Sequence, residues 1–223
     1  MLYLPSYIFS QSEHTITENL VFGISLGGHA AWLSLLHEPS VTAAIAIIGC
    51  PDYTRLMSHR ADKSKRPSWV CTSPKGVGFI GSKDFPAALA MAVEKYDPAG
   101  LLMGQLEGYD CLHQLSEKEI QRLRPLMQRH LAGKKILSLS GGADKLVPYS
   151  CSEPFISFLG RAIDKDSGWF ADGGVELTNK VFEGVGHEVT EEMLREAVEF
   201  VAHVLAATPS DGTQGDKRDG PKI

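Results

Sequence analysis

The chain has 223 residues, of which 43% are hydrophobic and 22% are charged. These values are typical of a soluble globular protein with one domain of ordinary size, and they exclude a disordered or fibrous chain. The net charge of −5 argues against binding to nucleic acid or to anionic lipid, because both partners attract a positive surface.

The cysteines and the hydrophobic runs favour a cytoplasmic protein without a metal centre or cofactor. No run reaches the roughly 18 apolar residues of a membrane span, and the N-terminal residues lack the pattern of a secretory signal. The basic segment 60–66 is short and contains an aspartate, so we expect a solvated loop. Wide spacing predicts free thiols and no zinc site for the four cysteines, which are Cys50, Cys71, Cys111 and Cys151.

The first predicted elements form a strand–helix–strand unit. Residues 2–10 resemble the end of an amphipathic helix, and the apolar run 19–24 predicts a buried strand. The helix that follows is expected to stop before Pro39 and to bury one face, formed by Ala30, Leu33 and Leu36. Residues 41–50 predict the second strand, and a βαβ unit of this length implies a parallel sheet.

The segment 51–130 breaks this alternation. Its prolines and glycines predict an insertion that covers one end of the sheet, with helices over 85–96 and 117–130. An ordinary connection between two strands is the alternative interpretation of this segment.

Regular elements then return. Strands are expected over 135–140 and 175–182, and helices over 151–163 and 190–206. The last helix is strongly periodic, with Met193, Ala197, Phe200, Val201 and Val204 on one side. We therefore predict one α/β domain over residues 1–206 and a disordered tail over 207–223.

Three polar residues follow predicted strands directly, and they occur in the order Ser25, Asp144 and His187. The carboxyl ends of parallel strands share one edge of the sheet, so these side chains are expected to lie together. Histidine can remove the proton of a serine nucleophile, and a carboxylate can orient the histidine ring. The three residues therefore predict a catalytic triad.

The stretch Gly23-x-Ser25-x-Gly27 has a steric explanation. A serine on a sharp strand-to-helix turn requires neighbours without side chains, and we expect this of both glycines. The helix then begins directly behind the serine, so the Leu26 N–H is predicted to face a developing oxyanion.

These motifs resemble the α/β-hydrolase superfamily over about residues 15–206. The resemblance is carried by G-I-S-L-G-G, S-G-G-A-D-K-L-V-P and F-E-G-V-G-H-E. It implies Ser25 as nucleophile, Asp144 as acid, His187 as base and Leu26 as an oxyanion donor. The acid loop is most similar to those of esterases, dienelactone-hydrolase-like members and peptidase-like members.

The family has further strands before the nucleophile, and one of them supplies a second oxyanion donor. Few residues precede Ser25 here, so the resemblance implies a core of about four strands that lacks this part. Residues 20–24 should then form an edge strand with exposed apolar surface, and activity should be reduced.

Other residues compete for these roles. His29 lies one helical turn after Ser25 and is predicted to be a helix or pocket residue, while His59 and His113 are expected at the surface. Glu188 is expected to begin the last helix. Trp69, Phe79 and Met91 either line a substrate pocket or form the core of the insertion. The rejected acid candidates are Asp110, Asp164, Asp166 and Asp172.

The leading functional hypothesis is a serine hydrolase that cleaves an ester or related acyl bond of a small metabolite through an acyl-enzyme. The alternatives are a truncated, catalytically impaired relative that acts as a binding or assembly protein, and a hydrolase of amides or peptides. The sequence leaves the substrate and the oligomeric state open.

Overall fold

The computed structural model describes residues 16–104, 106 and 114–206, and this part of the chain has an α/β fold. Four parallel strands lie in the order β1-β2-β3-β4. They are β1 Leu20–Ile24, β2 Ala43–Ile47, β3 Lys135–Gly141 and β4 Glu176–Phe182. The predicted fold class and parallel sheet are therefore confirmed. The helix expected over 2–10 and the tail over 207–223 lie outside the described residues.

Eight helices surround this sheet in the described part of the chain. They are α1 Leu26–His37, α2 Tyr53–Lys63, α3 Pro67–Val70, α4 Ala87–Tyr96, α5 Pro98–Met103, α6 Glu117–His130, α7 Tyr149–Ile163 and α8 Glu191–Ala206. A short 3₁₀ turn, Ala171–Gly173, precedes β4. None of the helices in these described residues has the length and hydrophobicity that a membrane crossing requires.

Local sequence explains where several helices begin. The Asp52 side chain accepts the Arg55 N–H at 2.8 Å and caps α2. Ser116 and Glu119 form a reciprocal capping box at α6, which pairs two amide groups that the helix leaves free. These caps are contacts between residues close in sequence, so local sequence accounts for the two helix starts.

The core lies in two layers on opposite faces of the sheet. Helices α1, α5, α6 and α7 bury one large cluster, which includes Trp32, Leu102 and Phe155. On the other face, α8 covers β2 and β3 with Met193, Ala197, Phe200 and Val204, as its periodicity predicts. Every residue of β2 is buried.

Segment 51–130 contributes to three packing clusters. Leu56 joins a small cluster with Cys50, Val147 and Cys151. Ala61, Phe79, Phe85 and Val93 form a separate small core among α2–α4 and the loop before α4. By contrast, Leu123 and Met127 of α6 belong to the main core. Only the first part of this segment therefore has a packing cluster of its own.

The predicted inner face of α1 is correct at Leu36, which is buried, and wrong at Ala30, while Leu33 is half-buried. Ala30 is exposed, and the buried residues of this helix are Gly28, Ala31, Trp32, Leu35 and Leu36. The helix is apolar around most of its circumference, so hydrophobic spacing could not select a face.

Strand β1 lies at the edge of the described sheet, as expected. Its partner on one side is β2, in the register Leu20↔Ala43 to Ile24↔Ile47. The side chains of Phe22 and Ile24 are 47% and 41% exposed. Apolar surface on this strand is therefore open to solvent, in contrast to buried β2.

Candidate active site

Ser25 occupies a sharp turn between β1 and α1. Its φ of 57° and ψ of −116° are unusual for a residue with a side chain. Its N–H donates to the Ile47 carbonyl at 2.8 Å, which anchors the turn to the end of β2. Strained backbone at such a turn presents the hydroxyl group beyond the edge of the sheet.

The glycines around this turn have different steric roles. A Cβ atom on Gly23 would lie 1.9 Å from the Gly27 carbonyl oxygen, so this position excludes a side chain. The same expectation for Gly27 is wrong, because a Cβ there would meet nothing within 4 Å. Instead, Gly28 and Gly49 pack against each other, with a Cβ on Gly28 only 2.9 Å from the Gly49 Cα. Sequence reasoning missed this second contact between α1 and the end of β2.

Ser25, His187 and Asp144 form one hydrogen-bonded chain. The Ser25 Oγ lies 2.8 Å from His187 Nε2, and His187 Nδ1 lies 2.7 Å from Asp144 Oδ2. Because a carboxylate only accepts, Nδ1 is the protonated nitrogen and the Ser25 hydroxyl donates to Nε2. Residues that are separated by up to 162 positions are thus brought to one edge of the sheet.

Asp144 is held firmly in its loop. Its side chain is fully buried, and its Oδ1 accepts the N–H groups of Leu146 and Val147 at 2.8 and 2.9 Å. The second oxygen is left for His187. The histidine side chain is 22% exposed, so it remains accessible from solvent.

Leu26 is the first residue of α1, and its side chain is 79% exposed. Its N–H belongs to the first turn of the helix, where amide groups lack partners within the helix. The helix dipole favours negative charge at this end. These features are compatible with the oxyanion role that the sequence predicts for the Leu26 N–H.

His29 lies one turn further along α1 and has a different set of partners. Its Nδ1 donates to the Cys50 carbonyl, and its Nε2 lies 3.4 Å from an Asp97 oxygen. Burial lowers the pKa of His29. Burial, assisted by repulsion from Asp52, raises the pKa of Asp97 to about 8. Both groups are therefore mainly neutral at pH 7, and the contact links α1 to the segment before α5.

The other candidates for the acid or base lie elsewhere. Asp172 pairs with Arg124 at 3.1 Å, and Asp164 accepts from Ser167 in an exposed loop. Glu188 is exposed and precedes α8, which begins at Glu191; the expectation that it starts the helix is wrong. Asp110 and His113 lie outside the described residues, and Asp166 is exposed.

The aromatic candidates of the insertion separate into two groups. Phe79 is buried and Trp69 packs against the same small core, with ring centroids 5.5 Å apart. Met91 is 71% exposed. Trp69 and Phe79 thus belong to the small core of segment 51–130, whereas Met91 lies at the surface.

Comparison with known proteins finds similarity in structure only. No family profile and no curated protein matches the chain. Solved structures that match include a puromycin-hydrolyzing peptidase of Mycobacterium tuberculosis, with 16% identity, a TM-score of 0.49 and coverage of 89% of this chain and 23% of that chain. Esterase PE8 matches with 14% identity and a TM-score of 0.43, over 89% of this chain and 56% of that chain. TT1662 from Thermus thermophilus matches with 20% identity and a TM-score of 0.47, over 92% of this chain and 59% of that chain.

The similar structures are described as a peptidase in one case and an esterase in another. The chain spans between about a quarter and three fifths of their lengths. Because the identities are low and the TM-scores lie below 0.5, we base the proposed activity on the geometry of this site itself.

Proposed function

We propose that this chain is a serine hydrolase that cleaves an ester or related acyl bond of a small molecule. The observation that carries this proposal is the hydrogen-bonded chain Ser25–His187–Asp144, with distances of 2.8 and 2.7 Å. The positive φ of Ser25 supports it, because an accessible nucleophile on a strained turn is the arrangement that acyl transfer requires.

In the first half of the reaction, Ser25 Oγ attacks the acyl carbon while its proton passes to His187 Nε2. The carbonyl oxygen becomes negative and receives the Leu26 N–H as a hydrogen-bond donor. Asp144 accepts from Nδ1 and stabilises the charged ring. His187 then gives its proton to the leaving alcohol, and the acyl group remains on Ser25.

In the second half, water replaces the leaving group. His187 Nε2 removes a proton from water as the water oxygen attacks the acyl carbon, and the acid product leaves when Ser25 recovers its proton. All proton transfers pass through the one ring nitrogen that faces Ser25. The proposed cycle consumes water as its only co-reactant.

A fluorophosphonate probe tests the nucleophile. Wild-type protein should be labelled at Ser25, and Ser25→Ala should abolish labelling. Ser150→Ala is the matched control, because Ser150 is exposed in the first turn of α7 and has no role in the proposed reaction. Labelling that persists in Ser25→Ala would assign the nucleophile elsewhere.

The bond type is tested with a matched ester and amide of the same acyl group. Both pass through a tetrahedral intermediate at the same serine, so the ratio of kcat/KM ranks them. We expect faster turnover of the ester. If the probe labels the protein but neither the ester nor the amide is turned over, the result would instead favour the non-catalytic binding or assembly role.

A further inference from the structure

A cavity with an unusual charge lies beside the acid loop, which follows β3 and carries Asp144. It has a volume of about 440 Å³ and is enclosed by the second half of α2, the turn before α3 and the residues that follow Asp144. Of the described residues, four solvent-exposed cationic side chains and one carboxylate line it: Arg60, Lys63, Arg66, Lys145 and Asp84. The cavity therefore carries a charge of about +3, in a chain whose net charge is −5.

The single carboxylate is already engaged. Asp84 accepts the Ser68 hydroxyl at 2.6 Å and lies 3.8 Å from Arg66. For Lys63 and Lys145, the described part of the chain offers neither an ion pair nor a hydrogen bond to the ammonium group. Like charges gathered around one cavity repel each other, and a bound anion removes this repulsion.

Arg60 is fixed in this group by a contact between distant segments. Its Nε and Nη2 atoms donate to the Leu146 carbonyl at 3.3 and 3.0 Å. This contact holds α2 against the acid loop and keeps the guanidinium group at the cavity wall. A positioned guanidinium group is well suited to recognise phosphate or carboxylate oxygens.

His59 also borders the cavity. Its Nδ1 atom is buried and, within the described residues, has no hydrogen-bond partner. Buried polar atoms are normally paired, so this nitrogen needs a partner that the described chain does not supply. The buried Nδ1 atom has no accessible surface toward the cavity, so His59 contributes only the rest of its ring to the wall.

The remaining wall is apolar. Met57, Ala61, Phe79 and Leu146 contribute to it, and they give the cavity room for the hydrocarbon part of a ligand. A cavity of this kind suits a small organic anion better than a nucleic acid, whose phosphates require an extended basic stripe.

We propose that this cavity is a binding site for a small organic molecule with a phosphate or carboxylate group. The anionic group is bound by Arg60, Lys63 and Lys145, and its apolar part contacts Met57 and Leu146. The site is independent of the proposed hydrolysis, although it shares the loop that holds Asp144.

Calorimetric titration tests the site directly, with phenyl phosphate, benzoate and inorganic phosphate as separate probes at constant ionic strength. We expect saturable binding of one molecule, with phenyl phosphate bound more tightly than inorganic phosphate because of the apolar wall. Binding of phenyl phosphate without benzoate would assign the site to phosphate, and the reverse result would assign it to carboxylate.

The double variant Lys63→Gln/Lys145→Gln should weaken binding at least about tenfold, since it removes two charge-assisted contacts. The matched control is Lys118→Gln/Lys165→Gln, which changes net charge equally at exposed positions outside the cavity and should bind as the wild type does. Equal weakening in both double variants would overturn the proposal, because it would show general electrostatic attraction.

Failure of all three probes to saturate the wild-type protein up to about 10 mM would also overturn the proposal. The titration can be repeated with Ser25→Ala, so its outcome is separate from that of the proposed activity.

Discussion

The fold contains two histidine–carboxylate clusters, and they differ in whether a ring nitrogen of the histidine faces Ser25. His187 contacts Asp144 through Nδ1 and leaves Nε2 for the Ser25 hydroxyl. His29 donates through Nδ1 to the Cys50 carbonyl, and its Nε2 lies 3.4 Å from Asp97 and has no contact with Ser25 among the described hydrogen bonds. A base for catalysis needs one nitrogen that faces the reacting group, and only the first of these two histidines has it.

Burial reinforces the difference. It lowers the pKa of His29 and raises that of Asp97 to about 8, so the inner cluster is mainly neutral at pH 7. Nearness to the serine in sequence is therefore a poor guide to the base. His29 is four residues from Ser25, whereas His187 is 162 residues away.

The largest expected effect is the difference in kcat between variants of the two histidines. His187→Ala should lower kcat by about 10⁴–10⁶, because the triad acts as a unit. His29→Gln should lower kcat by less than about tenfold, since the side chain contributes a packing contact and no proton transfer. Steady-state kinetics on an activated ester measures both. Equal losses in two folded variants would contradict the assignment of His187 as the base.

The carboxylates give the next comparison. Asp144→Asn should lower kcat by about 10⁴, because the amide no longer favours the required ring tautomer. Asp97→Asn should leave kcat within about tenfold of the wild type. The pH profile supplies a second measurement, since the loss in Asp144→Asn should exceed that of Asp97→Asn throughout the range of activity.

The turn that carries Ser25 has two neighbouring glycines, and the space around them differs. Substitution of each glycine by alanine tests this difference. Gly23→Ala should reduce the free energy of unfolding by more than about 2 kcal/mol, because the new Cβ collides with the Gly27 backbone. Gly27→Ala should change it by less than about 1 kcal/mol, because open space surrounds that position. Urea unfolding measures both changes. A tolerated Gly23→Ala would indicate a turn that is looser than the structure describes.

The last comparison concerns the pH dependence of stability. The pKa of Asp97 is raised to about 8 in the folded state, above the value of about 3.9 in an unfolded chain. The folded protein therefore binds the extra proton between these two values, and the stability due to this group is lost as pH rises from about 4 to 8. The slope is at most about 1.4 kcal/mol per pH unit.

Asp97→Asn removes this titration and keeps a residue that can cap α5. The difference in unfolding free energy between variant and wild type should therefore increase in favour of the variant from pH 5 to pH 7.5. A difference that stays constant with pH would place the pKa of Asp97 near its ordinary value.

The sequence by itself determined the alternation of strands and helices and the ends of the strands that carry Ser25, Asp144 and His187. Hydrophobic runs with glycine at their ends are local signals, and a parallel sheet gathers its carboxyl ends at one edge. That is why residues far apart in the chain could be predicted to meet before any contact was known.

Tertiary structure alone decided which side chains are buried and which approach closely. The contact of His29 with Asp97 and the contact of Gly28 with Gly49 join separate elements. The cationic cavity likewise needs α2 and the acid loop, joined by a bond between residues 86 positions apart. Such contacts depend on how helices pack on the sheet, and burial then sets the charge of each group. Neither the packing of the helices nor the charge of the buried groups is encoded in a local pattern of residues.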